Sequence, residues 1–421
     1  MIVSSKPTGK MRLKDPPSLQ NPTAQETSPS RPSHLRQVNA RGLLRLLREH
    51  NPCSKADLVR LSGLSAPTVS SAVSHLEALG LIDNLGEGES SGGRPPGLLR
   101  FRASYGYVAA ADIGGTRLRM MLADLNGKVV TQWSTQFSEK QKTPKAVCAL
   151  MREGLRRMCQ EGGTSMKKVL HITAGAPGIT NFSSGVVLSA PNLKDWDQVP
   201  LLAMIEKETG IPALVDNDTN LAAVGEHWHG SSIGVDNFIF VAMGTGVGAG
   251  IFLHGRLHRG AGWSAGEIGY TGVSGKKRDS LQMRSTGQLE RAIGGAGIEA
   301  EWMRLLQQAG TAGDPALAKL KAPQIFDLAV DGDRTASEVL HYTARILACC
   351  LTDLTLLLDP KLIVLGGGIG SHPELCRLTE KLLQKNEFAR PTLRSSSLGT
   401  HAQLHGAISL SLAAIETQLL G

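Results

Sequence analysis

The feature that most constrains how this chain can fold is a local pattern that occurs twice. In the first copy, the apolar strand Val108–Asp112 leads into a glycine turn, a second strand at Leu118–Ala123 and the hairpin dipeptide Asn126-Gly127. The second copy contains the same parts in the same order: Phe238–Met243, a glycine turn at 244–248, Ala249–Leu253, His254-Gly255 and Arg256–His258. Two copies of one supersecondary unit predict an internally duplicated α/β protein with two lobes.

The segment before the duplicated part predicts three helices followed by a β-hairpin. Ser54 and Asp57 have the spacing of a capping box at the start of a short second helix. Ser65 is placed to cap a third helix, which Gly80 ends, and a glycine-rich tip at 86–93 separates the two strands that follow. This order of elements is typical of a winged helix-turn-helix, whose third helix enters the major groove of DNA.

The charge of the chain is concentrated at its N-terminal end. Residues 1–105 contain 14 Lys and Arg against 8 Asp and Glu, whereas the other 316 residues contain 31 against 29. A basic front on a nearly neutral body indicates a polyanionic partner, although a solvated basic tail would have the same balance. Residues 1–35 are rich in Pro, Ser and Lys and lack apolar periodicity, so we expect a disordered tail there.

Candidate DNA contacts follow from the winged-helix pattern. On the third helix they are Pro67, Thr68, Ser70, Ser71, Ser74 and His75. Lys55 and Arg60 are candidates for phosphate contacts, and Arg94 in the wing could enter a narrow minor groove. Some winged helices instead bind proteins, and the sequence leaves this alternative open.

Three glycine clusters could bring backbone amides close to a phosphate. The first does not open a Rossmann domain, because the strand-like segment 117–123 follows it where that fold requires a helix. One glycine cluster is weak evidence, but three in this order within a duplicated framework predict a nucleotide site. The candidates are Asp112, Gly114, Gly115, Thr116, Gly244, Thr245, Gly246, Gly366, Gly367 and Gly368.

Asp218 lies between the strand Ala213–Val215 and a predicted helix. There it could accept a proton from a sugar hydroxyl and act as the general base of phosphoryl transfer. A carboxylate is also favourable at a helix N-terminus without any catalytic role. The local sequence does not decide between these two interpretations.

With these motifs in this order, the chain resembles the ROK family (repressors, open reading frames and sugar kinases), in the regulator branch that includes N-acetylglucosamine and xylose repressors. The resemblance covers residues 36–421. It implies a winged helix-turn-helix followed by an actin-like, hexokinase-like (ASKHA, ribonuclease H-like) pair of lobes with sugar in the cleft between them. The implied divisions are a basic tail at 1–35, the winged helix at 36–104, a first lobe at 105–230 joined by a C-terminal helix at 401–421, and a second lobe at 231–400.

The resemblance also implies the sugar contacts and shows one departure from the family pattern. The implied contacts are Asn192, Asn217, Asp218, Glu267 and Glu290. The His and three Cys that bind structural zinc in the family correspond here to Tyr270, Leu281, Met283 and Gln288. Leu and Met are not plausible zinc ligands and Tyr and Gln are poor ones, so we expect no metal, with the Tyr270 phenol replacing the histidine at the sugar.

Two functions fit these features. The first is a sugar-responsive transcription regulator, which the fused DNA reader favours because it implies an output in transcription. Repression is the commoner arrangement in the family. The second is an active sugar kinase with a DNA-binding extension, which would need ATP and Mg²⁺ and would use Asp218 as base. We expect a cytoplasmic homodimer or dimer of dimers that binds double-stranded operator DNA and a sugar, without a membrane partner.

Overall fold

The computed structural model describes residues 32–87, 97–282 except 192 and 194, and 285–420 except 312. At the N-terminal end it has the three helices and hairpin that the sequence predicts, with one added short strand. These elements are α1 (Pro32–Glu49), β1 (Cys53–Ser54), α2 (Lys55–Ser62), α3 (Ala66–Ala78), β2 (Ile82–Glu87) and β3 (Gly97–Phe101). The strands form one sheet in the order β1-β3-β2. Most of the predicted disordered tail lies outside the described residues.

The predicted end of that tail is wrong for residues 32–35, which form the first turn of α1. Proline is compatible with a helix start, because the N–H that it lacks would have no partner in the first turn. The capping box at the start of α2 is confirmed, since the Ser54 hydroxyl accepts the Asp57 N–H at 3.2 Å and the Asp57 carboxylate accepts the Ser54 N–H at 3.0 Å.

The two lobes contain sheets of the same topology. The first lobe contains β4 (Tyr107–Ile113), β5 (Arg117–Asp124), β6 (Val129–Gln136), β7 (Val169–Ala176), a small hairpin of β8 (Ile179–Asn181) and β9 (Val186–Ser189), and β10 (Ala213–Asn217). The second contains β11 (Phe238–Met243), β12 (Val247–Leu253), β13 (Arg256–His258), β14 (Leu362–Gly366) and β15 (Thr392–Ser395). The strand orders β6-β5-β4-β7-β10 and β13-β12-β11-β14-β15 are equivalent, with an antiparallel meander followed by two parallel strands. The predicted duplication is therefore confirmed.

Helices cover both sheets. In the first lobe they are α4 (Pro144–Glu161), α5 (Leu201–Thr209) and α6 (Asp218–His229), and in the second α7 (Gln288–Ile293), α8 (Gly295–Gln308), α9 (Pro315–Ala318), α10 (Ala322–Val330), α11 (Arg334–Leu358), α12 (Gly367–Gly370) and α13 (Pro373–Leu383). Helix α11 is long and apolar enough to cross a membrane, but about half of it is buried in the core of the second lobe, as in many globular proteins. The last helix, α14 (Ala402–Leu420), returns to the first lobe and packs on β4, β7 and α6.

Helices α6 and α14 cross at a pair of glycines. A Cβ on Gly225 would collide with the carbonyl oxygen of Ala402, and one on Gly406 would collide with that of Leu221. Only glycine at both positions lets the two backbones come this close. At the far end of α14, Ile408, Leu412 and Ile415 belong to the same cluster of buried side chains as the core of the winged helix. The winged helix therefore packs continuously with the first lobe.

The lobes are joined by a buried ion pair. Arg259, which follows β13 in the second lobe, donates from Nε and Nη2 to Asp216 of the first lobe at 3.0 and 2.7 Å. Its guanidinium also stacks 3.8 Å from the ring centroid of Phe182 in the β8–β9 hairpin. The Asp216 carboxylate is fully buried, so it depends on this arginine for its charge partner.

We expect Gly406→Ala to destabilise the protein by about 1–3 kcal/mol, because α14 and α6 must move apart to admit the methyl group. The matched control is Gly42→Ala in α1, where a Cβ meets nothing within 4 Å. This control should gain about 0.5–1 kcal/mol from its better helix propensity. Urea unfolding measures both changes. A Gly406→Ala protein as stable as the wild type would contradict the close crossing.

Candidate functional site

A cleft of about 320 Å³ lies between the lobes and collects most of the predicted ligand-binding residues. Among the described residues that line the cleft, five are predicted sugar contacts: Asn217, Asp218, Glu267, Tyr270 and Glu290. Of the predicted nucleotide contacts, the same lining contains Gly114, Gly115, Gly244, Thr245, Gly246, Gly367 and Gly368. These residues come from both lobes, so the cleft depends on how the lobes are joined.

Asp218 is the first residue of α6 and is half-buried at the cleft. Its Oδ1 accepts the Thr219 N–H at 2.7 Å. The pKa of Asp218 is raised to about 7, mainly by burial and then by the Asp112 carboxylate, whereas the hydrogen bond from the Thr219 N–H opposes the rise. A carboxylate with this pKa is able to accept a proton or a hydrogen bond near neutral pH. Both interpretations of Asp218 fit this position, since it lies at a helix start and in the cleft.

Two more carboxylates lie on the opposite wall of the cleft. Burial and then the neighbouring Glu290 raise the pKa of Glu267 to about 7. Burial also raises the pKa of Glu290, whose Oε2 accepts the Val247 N–H at 3.1 Å. The pKa of the Tyr270 phenol is raised by burial and by these two carboxylates. Several hydrogen-bond acceptors thus face one space, which suits a ligand with several hydroxyl donors.

The structure describes only one of the two predicted asparagine contacts. Asn192 lies outside the described residues. The Asn217 amide nitrogen donates to the Gly178 carbonyl at 2.9 Å, and its oxygen accepts the Asn220 N–H at 2.9 Å as the cap of α6. The side chain of Asn217 therefore also has a structural role, which is to hold Asp218 at the cleft.

Three of the predicted nucleotide contacts do not line the cleft. Thr116 is exposed in the β4–β5 turn. Gly366 is buried at the end of β14, where a Cβ would collide with the ring of Phe240, so its requirement for glycine comes from packing. Asp112 is only 3% exposed and lies behind Arg119.

Arg119 is a residue of the cleft that the sequence analysis missed. It is the direct cross-strand partner of Asp112 in the β4–β5 pair. Its Nε and Nη2 donate to Asp112 Oδ2 at 2.9 and 2.5 Å, and its Nη1 donates to the Thr400 carbonyl at 2.5 Å. The sequence signal that could have identified Arg119 is the β4–β5 hairpin, because residues opposite each other in antiparallel strands point to the same face.

The residues at the expected zinc positions do not fit a zinc ion. Leu281 is 66% exposed, and Gln288 donates from Nε2 to the Lys277 carbonyl at 3.1 Å. Met283 lies outside the described residues. Across the part of the chain that the structure describes, no three His, Cys, Asp or Glu side chains form a possible metal site.

The winged helix presents the exposed face that the sequence predicts. Of the predicted contacts on α3, five are exposed: Pro67, Ser70, Ser71, Ser74 and His75. Thr68 is half-buried, and its hydroxyl lies 2.8 Å from that of the helix cap Ser65. Lys55 is exposed, Arg60 pairs with Asp57 at 2.7 Å, and Arg94 lies outside the described residues.

The last helix connects the cleft to the winged helix. Thr400, in the turn before the helix, and Gln403, in its first turn, line the cleft. At its end, Glu416 forms an ion pair with Arg48 of α1, and Leu419 and Leu420 line a groove of about 690 Å³ beside α3. No local sequence signal pointed to these contacts, because they join residues hundreds of positions apart.

Comparison with known proteins assigns both parts of the chain. A model of the ROK family matches residues 108–414, and a model of the MarR family matches residues 37–89. The first match contains both lobes and most of α14, whereas the second contains the winged helix up to the wing.

Named relatives include regulators and enzymes. The putative xylose repressor of Caldicellulosiruptor sp. strain Rt8B.4 is 28% identical over 395 residues, which cover 89% of this chain and 96% of that protein. The glucokinase of Halalkalibacterium halodurans is 31% identical over 267 residues, which cover 62% of this chain and 80% of the enzyme. The crystal structure of a ROK family transcriptional regulator, a homologue of the E. coli MLC protein, has a TM-score of 0.75 over 92% of this chain and 98% of its own, and at 24% identity it shows the same fold.

We expect Asp218→Asn and Glu267→Gln to stabilise the ligand-free protein at pH 8 by about 1–3 kcal/mol. Both carboxyls have folded pKa values near 7, above their ordinary values. Their protonated forms favour folding, so this contribution is present below pH 4 and is lost as the pH rises through about 7. A neutral amide avoids the loss, and the gain should shrink towards pH 4.

Urea unfolding at pH 5 and pH 8 measures this gain. The control is Glu153→Gln, because Glu153 is partly exposed on α4 and hydrogen bonds from Arg156 and Arg157 lower its pKa to about 2. That variant should gain no stability at pH 8. An equal gain at pH 5 and pH 8 for the cleft variants would show that these carboxyls do not titrate as described.

Proposed function

The chain belongs to the ROK family, and from this premise we propose that it is a sugar-responsive DNA-binding repressor whose kinase-like cleft binds the effector. The observation that carries the proposal is the continuous packing of a winged helix, through α14, with the lobe that forms the cleft. A winged helix packed onto a ligand-binding lobe in this way would couple DNA binding to sugar binding in one molecule.

We propose that the cleft senses the sugar and does not phosphorylate it. The named xylose repressor matches this chain over both the winged helix and the lobes, whereas the named glucokinase matches over 62% of it. Asp218 would hold a sugar hydroxyl together with Glu267 and Glu290, as carboxylates do in hydroxyl recognition. An aspartate can accept a hydrogen bond from a hydroxyl without removing its proton.

The response would pass along α14. This helix has 19 residues and is therefore about 28 Å long, which spans the distance from the cleft to the winged helix. Closure of the lobes on a sugar would move Thr400 and Gln403, and the tight crossing at Gly406 would transmit that movement to Glu416 and Arg48. The sugar must bind the closed state better than the open state, and a coupling of about 1–3 kcal/mol would suffice.

The remaining expectations follow from this function. The partner is double-stranded operator DNA, which a cytoplasmic homodimer or dimer of dimers would bind at paired half-sites. We also propose that the protein holds no structural zinc, because Tyr270, Leu281 and Gln288 replace metal ligands of the family. Elemental analysis of purified protein should find no stoichiometric zinc, and one tightly bound zinc ion per chain would contradict this.

We predict that the full-length protein binds DNA from beside its own gene and that one sugar changes this affinity by about 5–150-fold. Fluorescence anisotropy at fixed near-physiological salt measures it, with a sugar panel that includes xylose and glucose because relatives carry those names. If no fragment binds better than bulk DNA and the protein consumes ATP in a sugar-dependent reaction, the kinase alternative is supported instead.

Three variants separate sugar binding, the transmission of the response and DNA binding. Asp218→Asn should lose sugar binding and therefore the response, while it keeps its affinity for operator DNA. Glu416→Ala should keep sugar affinity, because Glu416 is at the far end of α14 from the cleft, and should weaken the response. Arg94→Ala should weaken DNA binding and leave sugar affinity unchanged. A normal sugar response in Asp218→Asn would leave only the structural role of Asp218 at the helix start.

A further inference from the structure

Arg119 is paired with the carboxylate of Asp112, which lies where the glycine loop of the first lobe begins. Asp112 is 3% exposed, and two nitrogens of Arg119 donate to the same oxygen, Oδ2, at 2.9 and 2.5 Å. The third guanidinium nitrogen donates to the Thr400 carbonyl at 2.5 Å. All three nitrogens therefore have acceptors, and the side chain is fixed across the cleft floor between β4 and the turn that precedes α14.

The position of Arg119 matters because of the residues around it. Among the described residues that line the cleft, Arg119 is the only basic side chain, and Gly114, Gly115 and Gly244 lie in the same lining. These glycines are the loops that would approach nucleotide phosphates. Phosphoryl transfer from a nucleotide requires divalent cations that neutralise the phosphates, and those cations need carboxylate oxygens as ligands.

A carboxylate that already binds a guanidinium is a poor ligand for a second cation. The charge-assisted bonds from Arg119 occupy Asp112 Oδ2, and the positive charge of the guanidinium repels a divalent ion at that distance. The cleft therefore does not fit a metal–nucleotide complex at Asp112.

We infer that Arg119 keeps divalent cations away from Asp112, thereby weakens the binding of metal–nucleotide complexes in the cleft, and so favours sensing over phosphoryl transfer in a kinase-like fold. Arg119 acts here through Asp112, as a positioning residue. This inference deepens the proposed function and rests on it, because a protein that binds the sugar without a metal–nucleotide complex cannot transfer a phosphoryl group from it.

The test measures binding of Mn²⁺ in the presence of ADP by calorimetry, with full-length wild-type protein and the Arg119→Ala variant. We expect the variant to bind at least about tenfold more tightly than the wild type. The Asp112→Asn/Arg119→Ala double variant should lose this gain, because the freed carboxylate is then absent. Equal affinity of wild type and Arg119→Ala, or no binding by either, would overturn the inference.

A second variant guards against misfolding. Arg119→Gln removes the charge but keeps a side-chain donor for the Thr400 carbonyl, so it should also bind Mn²⁺ and ADP more tightly than the wild type. Circular dichroism and thermal unfolding confirm that each variant is folded. The result is independent of the operator assay. A wild-type protein that responds to sugar on DNA and binds Mn²⁺ with ADP as tightly as Arg119→Ala would overturn this inference alone.

Discussion

The crossing of α6 and α14 at Gly225 and Gly406 is the contact on which the rest of the structure depends. Helix α6 begins with Asp218 at the cleft, and α14 runs from the cleft to the winged helix. Because neither glycine can gain a methyl group without moving backbone, the two helices are held as one unit. A buried network supports it from the sheet, where the Ser411 hydroxyl lies 3.0 Å from His171 Nδ1 and 2.7 Å from the Thr173 hydroxyl.

The cleft contains several acidic side chains and one arginine, which is paired with a carboxylate. Asp218, Glu267 and Glu290 have raised pKa values, each mainly because burial penalises the charged form. Burial raises the pKa of Asp112 as well, but there the charge and hydrogen bonds of the Arg119 guanidinium oppose the rise. A ligand with several hydroxyl groups could donate hydrogen bonds to the first three carboxyls. The Asp112 carboxylate already accepts hydrogen bonds from Arg119.

Much of the fold could be predicted because its signals are local. The glycine turns and alternating strands of 108–130 and 238–258 indicated the duplicated lobes, and the Ser54 capping box marked the start of α2. The strand register was not predicted, and with it the Asp112–Arg119 pair was missed. Likewise Gly366 was predicted to contact a nucleotide because it lies in a glycine-rich segment. In the structure, its close neighbour is the ring of Phe240.

By itself, the sequence determined the order of domains, the two equivalent lobes, the exposed face of α3 and the acidic residues available to a cleft, because each depends on residues close together in the chain. Only the tertiary structure decided which of these residues share a space. The Arg119–Thr400 bond, the Arg259–Asp216 pair between lobes and the Arg48–Glu416 contact of the winged helix join distant positions. Such pairs are set by how the helices and sheets pack, and periodicity along the chain carries no record of that packing.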